Sequence, residues 1–202
     1  CVFIVHNVPS RTEIMNMTEQ CLNSFRDTAD EYEYEIVFFD NGTRDNGETT
    51  EYLKRKATEF VSSGRAKRAE VIRHAHNDSI AKCWNEAIEW ANGEIIVLLN
   101  NDIVFNKSGW MGVLIYNLLS NSNVGVTGGH QMVWNDFSFL EGAFLCFRKD
   151  TALRIAENGK VFDERFQFTC EEVDLCRRIE MAGMRLLGTA IQTGGWATHL
   201  GY

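Results

Sequence analysis

Ile95-Ile96-Val97-Leu98-Leu99 is a run of five apolar residues with no polar break, stopped at once by Asn100, Asn101 and Asp102. So short and so uniformly apolar a run suits a strand buried on both faces, as in a parallel sheet. Parallel strands need long, usually helical, crossovers, so the run points the chain toward an α/β fold. Ligands of open α/β sheets bind just beyond the carboxyl ends of the strands, where Asp102 stands. A carboxylate there can hold a hard cation, which in turn can hold a diphosphate. Asn and Asp are equally good turn formers, so residues 100–102 alone leave both roles open.

The rest of the chain supplies the crossovers. An apolar strand at Val2–Val5 precedes a helix over Thr12–Arg26, with Ile14, Met17, Cys21, Leu22 and Phe25 at helical spacing and Ser10 or Thr12 as cap. A strand at Glu35–Phe39 ends in turn formers from Asp40 to Gly47, and a helix spans Glu48–Ser62. A basic loop at Ala66–Arg68 leads to a strand at Glu70–Arg73. A helix over Ser79–Ala91, with Ile80, Trp84, Ala87 and Ile88 inward, is closed by Asn92-Gly93. Strand–helix three times and then a strand predicts a parallel sheet. Beyond it the pattern predicts a helix over Lys107–Ser120 with Trp110, Val113, Leu114, Tyr116 and Leu118 inward, then a strand at Val124–Thr127. One long strand over Phe137–Arg148 follows, with Gly142-Ala143 inside it as a mark of close approach. A short helix at Thr151–Glu157, an aromatic loop to Cys170, a helix over Glu172–Met181 capped by Gly183, and late strands at Arg185–Leu187 and from Ile191 complete the chain.

At 202 residues, with 45% hydrophobic and 24% charged residues, the chain suits one soluble domain. No repeat or low-complexity linker divides it, and its single proline, Pro9, marks no boundary. A net charge of −8 argues against a nucleic-acid partner. No apolar run nears the roughly 20 residues that span a bilayer, and no signal peptide is visible. The chain starts at Cys1 inside a strand pattern with no initiator Met, so missing flanking segments are expected. The six cysteines form no C-x-x-C pair and are expected to be buried free thiols in a reducing compartment, which places the chain in the cytoplasm or peripheral to a membrane.

Several ordered motifs together resemble the family 2 nucleotide-sugar glycosyltransferases of GT-A fold, in particular their rhamnosyltransferase-like branch. They are His6-Asn7 at the end of the first strand, Phe39-Asp40-Asn41-Gly42-Thr43-Arg44-Asp45, and the spaced Asn77 and Asn85. Leu98-Leu99-Asn100-Asn101-Asp102 is similar to the Asn-x-Asp form of the metal-binding D-x-D motif. Glu141-Gly142-Ala143-Phe144, Phe162-Asp163-Glu164, Glu171-Glu172-Val173-Asp174-Leu175 and His199-Leu200-Gly201 follow in order. Three departures stand out. Ser79, Lys82 and Cys83 replace frequent glycines, Asn100 leaves one carboxylate in the D-x-D, and position 172 is Glu where Asp is usual.

The resemblance implies a Rossmann-like nucleotide-sugar half over 1–102 and an acceptor-binding, catalytic half over 103–202 with a smaller mixed sheet. It implies an inverting, metal-dependent transfer from a UDP-, dTDP- or GDP-linked sugar to a hydroxyl on a glycan, lipid-linked or other acceptor. Asp102 and His199 are the expected ligands of Mn²⁺ or Mg²⁺. Asn7, Asp40, Asn41, Arg73, Asn77, Asn85, Asn100 and Asn101 are expected on the donor side, and Gly142 and Ala143 on the acceptor side. Glu172, with Glu171 next, is the expected base that takes the acceptor proton. Carboxylates also stabilise helix N-termini, and Asp40 also suits a turn, so each keeps a structural alternative. A GT-A-like domain that only binds a nucleotide or glycan is the competing function. A nucleotidyltransferase is disfavoured, because the loop after the first strand has no glycine.

Overall fold

The computed structural model describes residues 2–6, 12–29, 32–167 and 169–201. In chain order the elements are β1 (Val2–His6), α1 (Thr12–Thr28), β2 (Tyr34–Asn41), α2 (Glu48–Ser62), β3 (Ala66–His74), α3 (Ile80–Trp90), β4 (Ile95–Asn100) and β5 (Ile103–Phe105). There follow α4 (Trp110–Leu119), β6 (Val124–Gly128), β7 (Gln131–Trp134), β8 (Phe137–Leu140), β9 (Phe144–Arg148), α5 (Lys149–Arg154), α6 (Glu171–Met181), β10 (Arg185–Gly188) and β11 (Ala197–His199).

Seven strands make one sheet in the order β10-β6-β9-β4-β1-β2-β3. The apolar run of β4 lies near its middle, and alternation explains why no position in it is polar. Val97 and Leu99 pack into one layer with Cys21, Leu22 and Phe25 of α1 and Trp110 and Leu114 of α4. Ile96 and Leu98 pack into the other with Trp84 and Ile88 of α3 and Leu175 and Ile179 of α6. Each such side chain, fully buried, contributes about 1.5–3 kcal/mol.

β3, β2, β1 and β4 are parallel neighbours. The chain moves outward from β1 to β3, then crosses back to lay β4 on the far side of β1. That reversal is the switch point where open α/β sheets bind ligands. The strands end almost level there: Val5 pairs with Asn100, His6 with Asp40, and Asp40 with Arg73. β9 runs antiparallel to both β4 and β6. Two small antiparallel sheets, β5/β11 and β7/β8, complete the second half.

Several local expectations change. The basic stretch Ala66–Arg68 is the start of β3, paired with Tyr34 and Glu35, so a charge run there is a strand edge and not a turn. α3 ends at Trp90 and its cap, Ala91, is extended; Asn92 and Gly93 instead donate their backbone N–H groups to the Glu35 carboxylate at 2.9 and 3.2 Å. α4 begins at Trp110 behind left-handed Gly109, and Tyr116 is exposed. The single long strand over Phe137–Arg148 is two, β8 and β9, split at Glu141-Gly142-Ala143, and β7 pairs with the first of them. The late chain from Ile191 turns before forming the short β11. Cys21, Cys83, Cys146 and Cys176 are buried free thiols as expected, whereas Cys170 is exposed. Ser10 and Asn7 lie outside the described residues.

Candidate active site

Asp102 sits in the tight turn where β4 hands over to β5. The pairing of β5 with β11 sets His199 opposite Ile103, one residue away. The Leu200 N–H closes the turn onto the Asp102 carbonyl at 2.9 Å. His199 then bridges two carboxylates: Nε2 lies 3.2 Å from Asp102 Oδ2 and Nδ1 lies 2.8 Å from Glu141 Oε1. These two hydrogen bonds, Asp102 first, hold the imidazole pKa up to about 10 against the effect of burial. Both contacts favour the protonated ring. The same contact holds Glu141 below the usual carboxylate range. Gln192 Nε2 donates to the second Glu141 oxygen at 3.3 Å.

Glu141-Gly142-Ala143 reaches this cluster because β9 enters the sheet from the edge at which its parallel neighbours leave. The Asn100 N–H donates to the Ala143 carbonyl at 3.1 Å, which ties the end of β4 to the segment. Gly142 faces Glu172. A Cβ at position 142 would come within 3.3–3.5 Å of the Glu172 side chain, so the two positions stand in direct contact range.

Glu171 and Glu172 open α6 behind Cys170, whose φ of 74° is left-handed. The two diverge in setting, as the 100° step of a helix requires. Glu171 is 4% exposed. Burial pushes its pKa up to about 7. Glu172 is only partly buried; burial raises its pKa, and the nearby Glu141 charge adds to the rise. Asp102 Oδ1, Glu171 Oε2 and Glu172 Oε2 are buried oxygens without a hydrogen-bond partner among the described residues. Unpaired buried acceptors are costly and call for an explanation, a bound group being one.

The donor-side residues form a second, tighter network at the ends of β2 and β3. Asp40 is fully buried; its carboxylate accepts from the Thr43 N–H at 3.0 Å, from the Thr50 hydroxyl and from Arg73 Nη1 at 3.3 Å. Asn41 Nδ2 donates to Asn77 Oδ1 at 3.0 Å and to the Asp78 carbonyl at 2.8 Å. Gly42, with φ of 80°, lies flat on the 76–77 peptide, where a Cβ would stand 2.3 Å from the His76 carbonyl carbon. The Asp40–Thr43 turn and the 76–78 loop are thus one locked unit, with Arg73 partly exposed above it. Asn101 Nδ2 donates to Thr18 of α1 at 2.8 Å. Asn85 joins neither network: its amide accepts from the Val161 and Phe162 N–H groups and donates to the Phe162 carbonyl and to Glu164, anchoring the loop ahead of α6.

The structure thus brings Asn100, Asp102, Gly142, Ala143, Glu172 and His199 together, and it adds Glu141 and Gln192. Glu141 had a visible signal, a carboxylate directly before Gly142-Ala143. Gln192 had none. Among the described residues no group of three or more His, Cys, Asp or Glu side chains is arranged to hold a metal ion.

A family model described as Glycosyl transferase family 2 matches residues 7–173, which includes Asp40, Asp102 and Glu172 and stops short of His199. No curated protein shows significant sequence similarity to the chain. Among solved structures, a mannosyltransferase from Pyrobaculum calidifontis, PcManGT, in complex with GDP-Man and Mn²⁺, is similar at a TM-score of 0.69 and 17% identity, over 93% of this chain and 54% of that one. GalNAc-T7 with UDP, GalNAc and Mn²⁺ is similar at 0.70 and 12% identity, over 93% and 41%. TarS from S. aureus is similar at 0.59 and 16%, over 93% and 35%. The chain spans about half or less of these proteins. At such identities the likeness shows the fold alone, the GT-A fold.

Proposed function

The chain belongs to glycosyl transferase family 2, and from that premise we propose that it moves a sugar from a nucleoside-diphosphate sugar to an acceptor hydroxyl, with inversion and with a divalent cation. The observation that carries this reading is Glu172. It is a carboxylate of raised pKa with one unpartnered oxygen, facing Gly142 beside the Asp102–His199–Glu141 cluster at the switch-point edge.

Asp102 and His199 would hold the cation. The unpaired Asp102 Oδ1 and an imidazole nitrogen are a mixed oxygen and nitrogen set that suits Mn²⁺, and one or two protein ligands plus substrate phosphates are the ordinary complement. When bound, the ion supplies Lewis-acid stabilisation of the charge that gathers on the diphosphate. His199 must give up its proton to act as a ligand, so binding is coupled to proton release. Glu172 takes the proton of the acceptor hydroxyl. The acceptor oxygen then forms its bond to the anomeric carbon as the bond to the diphosphate oxygen breaks on the opposite face. Asn100 and the Arg73 edge of the Asp40 turn line the donor side, while Asp40 and Asn41 shape that turn. The Asp40 oxygens are already occupied, which supports a positioning role for it.

A panel of nucleotide sugars tests the proposal. One donor is expected to raise the melting temperature in Mn²⁺ but not in EDTA, and to be hydrolysed or transferred. Binding without turnover, across donors and acceptors, would favour a nucleotide- or glycan-binding domain instead.

A further inference from the structure

The segment that delivers Glu141 and Gly142 begins as a hairpin with an unusual surface. β7 and β8 pair Gln131 with Leu140, Met132 with Phe139, Val133 with Ser138 and Trp134 with Phe137. Opposed residues share a face. One face therefore carries Met132, Trp134, Phe137 and Phe139, three of them aromatic. The rings form a row: Trp134 and Phe137 lie 5.7 Å apart between centroids, and Phe137 and Phe139 lie 6.2 Å apart. The inner end is anchored. Phe139 packs against the core, Leu140 is fully buried, and the Leu140 N–H donates to Cys176 of α6 at 3.4 Å. The outer end is bare: Trp134 is 60% exposed. Asn135 and Asp136, with φ of 45° and 68°, close the hairpin in the left-handed two-residue turn that matches strand twist, so the rings stand on a preformed ribbon.

Large exposed apolar side chains grouped on one rigid element mark an interaction site. The ladder itself points to the occupant. Beyond Gln131–Leu140 it continues to a bond from the Glu141 N–H to the His130 carbonyl at 2.9 Å, so the ribbon runs without a break into the candidate site. Phe137 lies four residues before Glu141, about 13 Å along a strand, the length of a short oligosaccharide. At its inner end, beyond Leu140, the ribbon meets the polar depression of the candidate site, lined by His130, Glu141, Gln192, Thr198 and His199. The hairpin itself carries no Lys or Arg, and its tip bears Asp136. Anionic lipid surfaces are bound through Lys and Arg. A neutral sugar chain meets both halves of the surface, its C–H faces stacking on the rings and its hydroxyls bonding the polar depression.

We propose that the β7–β8 ribbon is an acceptor subsite for a neutral oligosaccharide, with Trp134 as its outer stacking platform. The proposal rests on the glycosyltransferase reading above for its role but not for its test. The full chain is titrated calorimetrically with neutral tetrasaccharides of glucose, mannose, galactose and N-acetylglucosamine, and with the matching monosaccharides. At least one tetrasaccharide is expected to bind. Trp134→Ala should weaken it by roughly 3–10-fold, the value of one aromatic stacking contact. Trp134→Phe should restore most of the loss. Neither variant should change monosaccharide binding, the melting temperature, or the stabilisation by a nucleoside diphosphate in Mn²⁺. No tetrasaccharide binding, or equal binding by Trp134→Ala, overturns the proposal. So does Trp134-dependent sedimentation with phosphatidylcholine–phosphatidylglycerol vesicles in place of sugar binding, or a dimer that Trp134→Ala dissolves. The nucleotide arm is read separately: its failure counts against the transferase reading, and loss of tetrasaccharide binding counts against the ribbon.

Discussion

Glu171→Gln separates the two adjacent glutamates without any knowledge of the substrate. Glu171 is 4% exposed, and burial lifts its pKa from the ordinary 4.5 to about 7. A carboxyl raised on folding makes the native state hold its proton longer than the unfolded chain does. Below about pH 4.5 both states are protonated and the effect is nil. Between about 4.5 and 7 the unfolded carboxyl ionises first and stability falls; above about 7 the loss is complete. At about 1.4 kcal/mol per pH unit the full effect is about 3 kcal/mol. Glutamine keeps the shape and does not titrate. Burying its amide shifts the variant by a constant, so the informative quantity is how the difference between variant and wild type changes with pH. Urea unfolding at pH 4.5, 6 and 8 should show that difference moving in favour of Glu171→Gln by about 3 kcal/mol across the series. Parallel stability curves would refute the buried, proton-retaining carboxyl. Retained turnover in the same variant would place the base elsewhere, as the geometry at Gly142 suggests.

Glu172→Gln should lower kcat by roughly 10²–10⁴-fold with donor affinity unchanged; wild-type kcat should rise with pH through a pKa above the usual carboxylate range, and an unaltered pH–rate profile in the variant would show that another group is the base. Asp102→Asn should abolish Mn²⁺-dependent stabilisation by the donor while leaving the circular dichroism spectrum intact, because the residue lies in a turn beyond the sheet; unchanged nucleotide binding in Mn²⁺ would remove it from the metal site. Asp40→Ala should weaken free nucleotide and nucleotide sugar alike. It should also cost roughly 1–3 kcal/mol of stability, because Thr43, Thr50 and Arg73 lose their shared acceptor; a melting temperature equal to that of wild type would contradict the buried network.

What could be read from the sequence follows the range of the interactions involved. The β4 run and the three preceding strand–helix pairs declare themselves, because burial on both faces and amphipathic spacing are written locally. Asp102 and Glu172 are legible for a related reason, each standing at the abrupt end or start of a periodic segment. β5 and β11 are three residues each, and their pairing spans almost half the chain, so no local pattern announces them. Yet that pairing is what carries His199 to Asp102. Of the β7–β8 hairpin, β8 falls inside the strand expected over Phe137–Arg148, whereas β7 is four residues long and too short for its alternation to stand out. Asn85 shows the converse. Its motif position singled it out for the donor side, and the fold shows that its amide holds the 161–164 loop.

The single reversed strand has a consequence for how the protein is made. β6 is synthesised before β9 and β10, yet among the described residues those two are its neighbours in the sheet, and β9 is also the outer neighbour of β4. Until residues 144–148 leave the ribosome, β6 has no partner and the apolar edge of β4 stands open. Open edges of this kind recruit other chains. The four strands β3-β2-β1-β4 can register as they emerge, whereas the remainder must close together around β9 in one late, long-range step, the slow kind. A chain cut near residue 102 would thus keep every donor-side motif and still present a bare β4 edge, a strong candidate for aggregation.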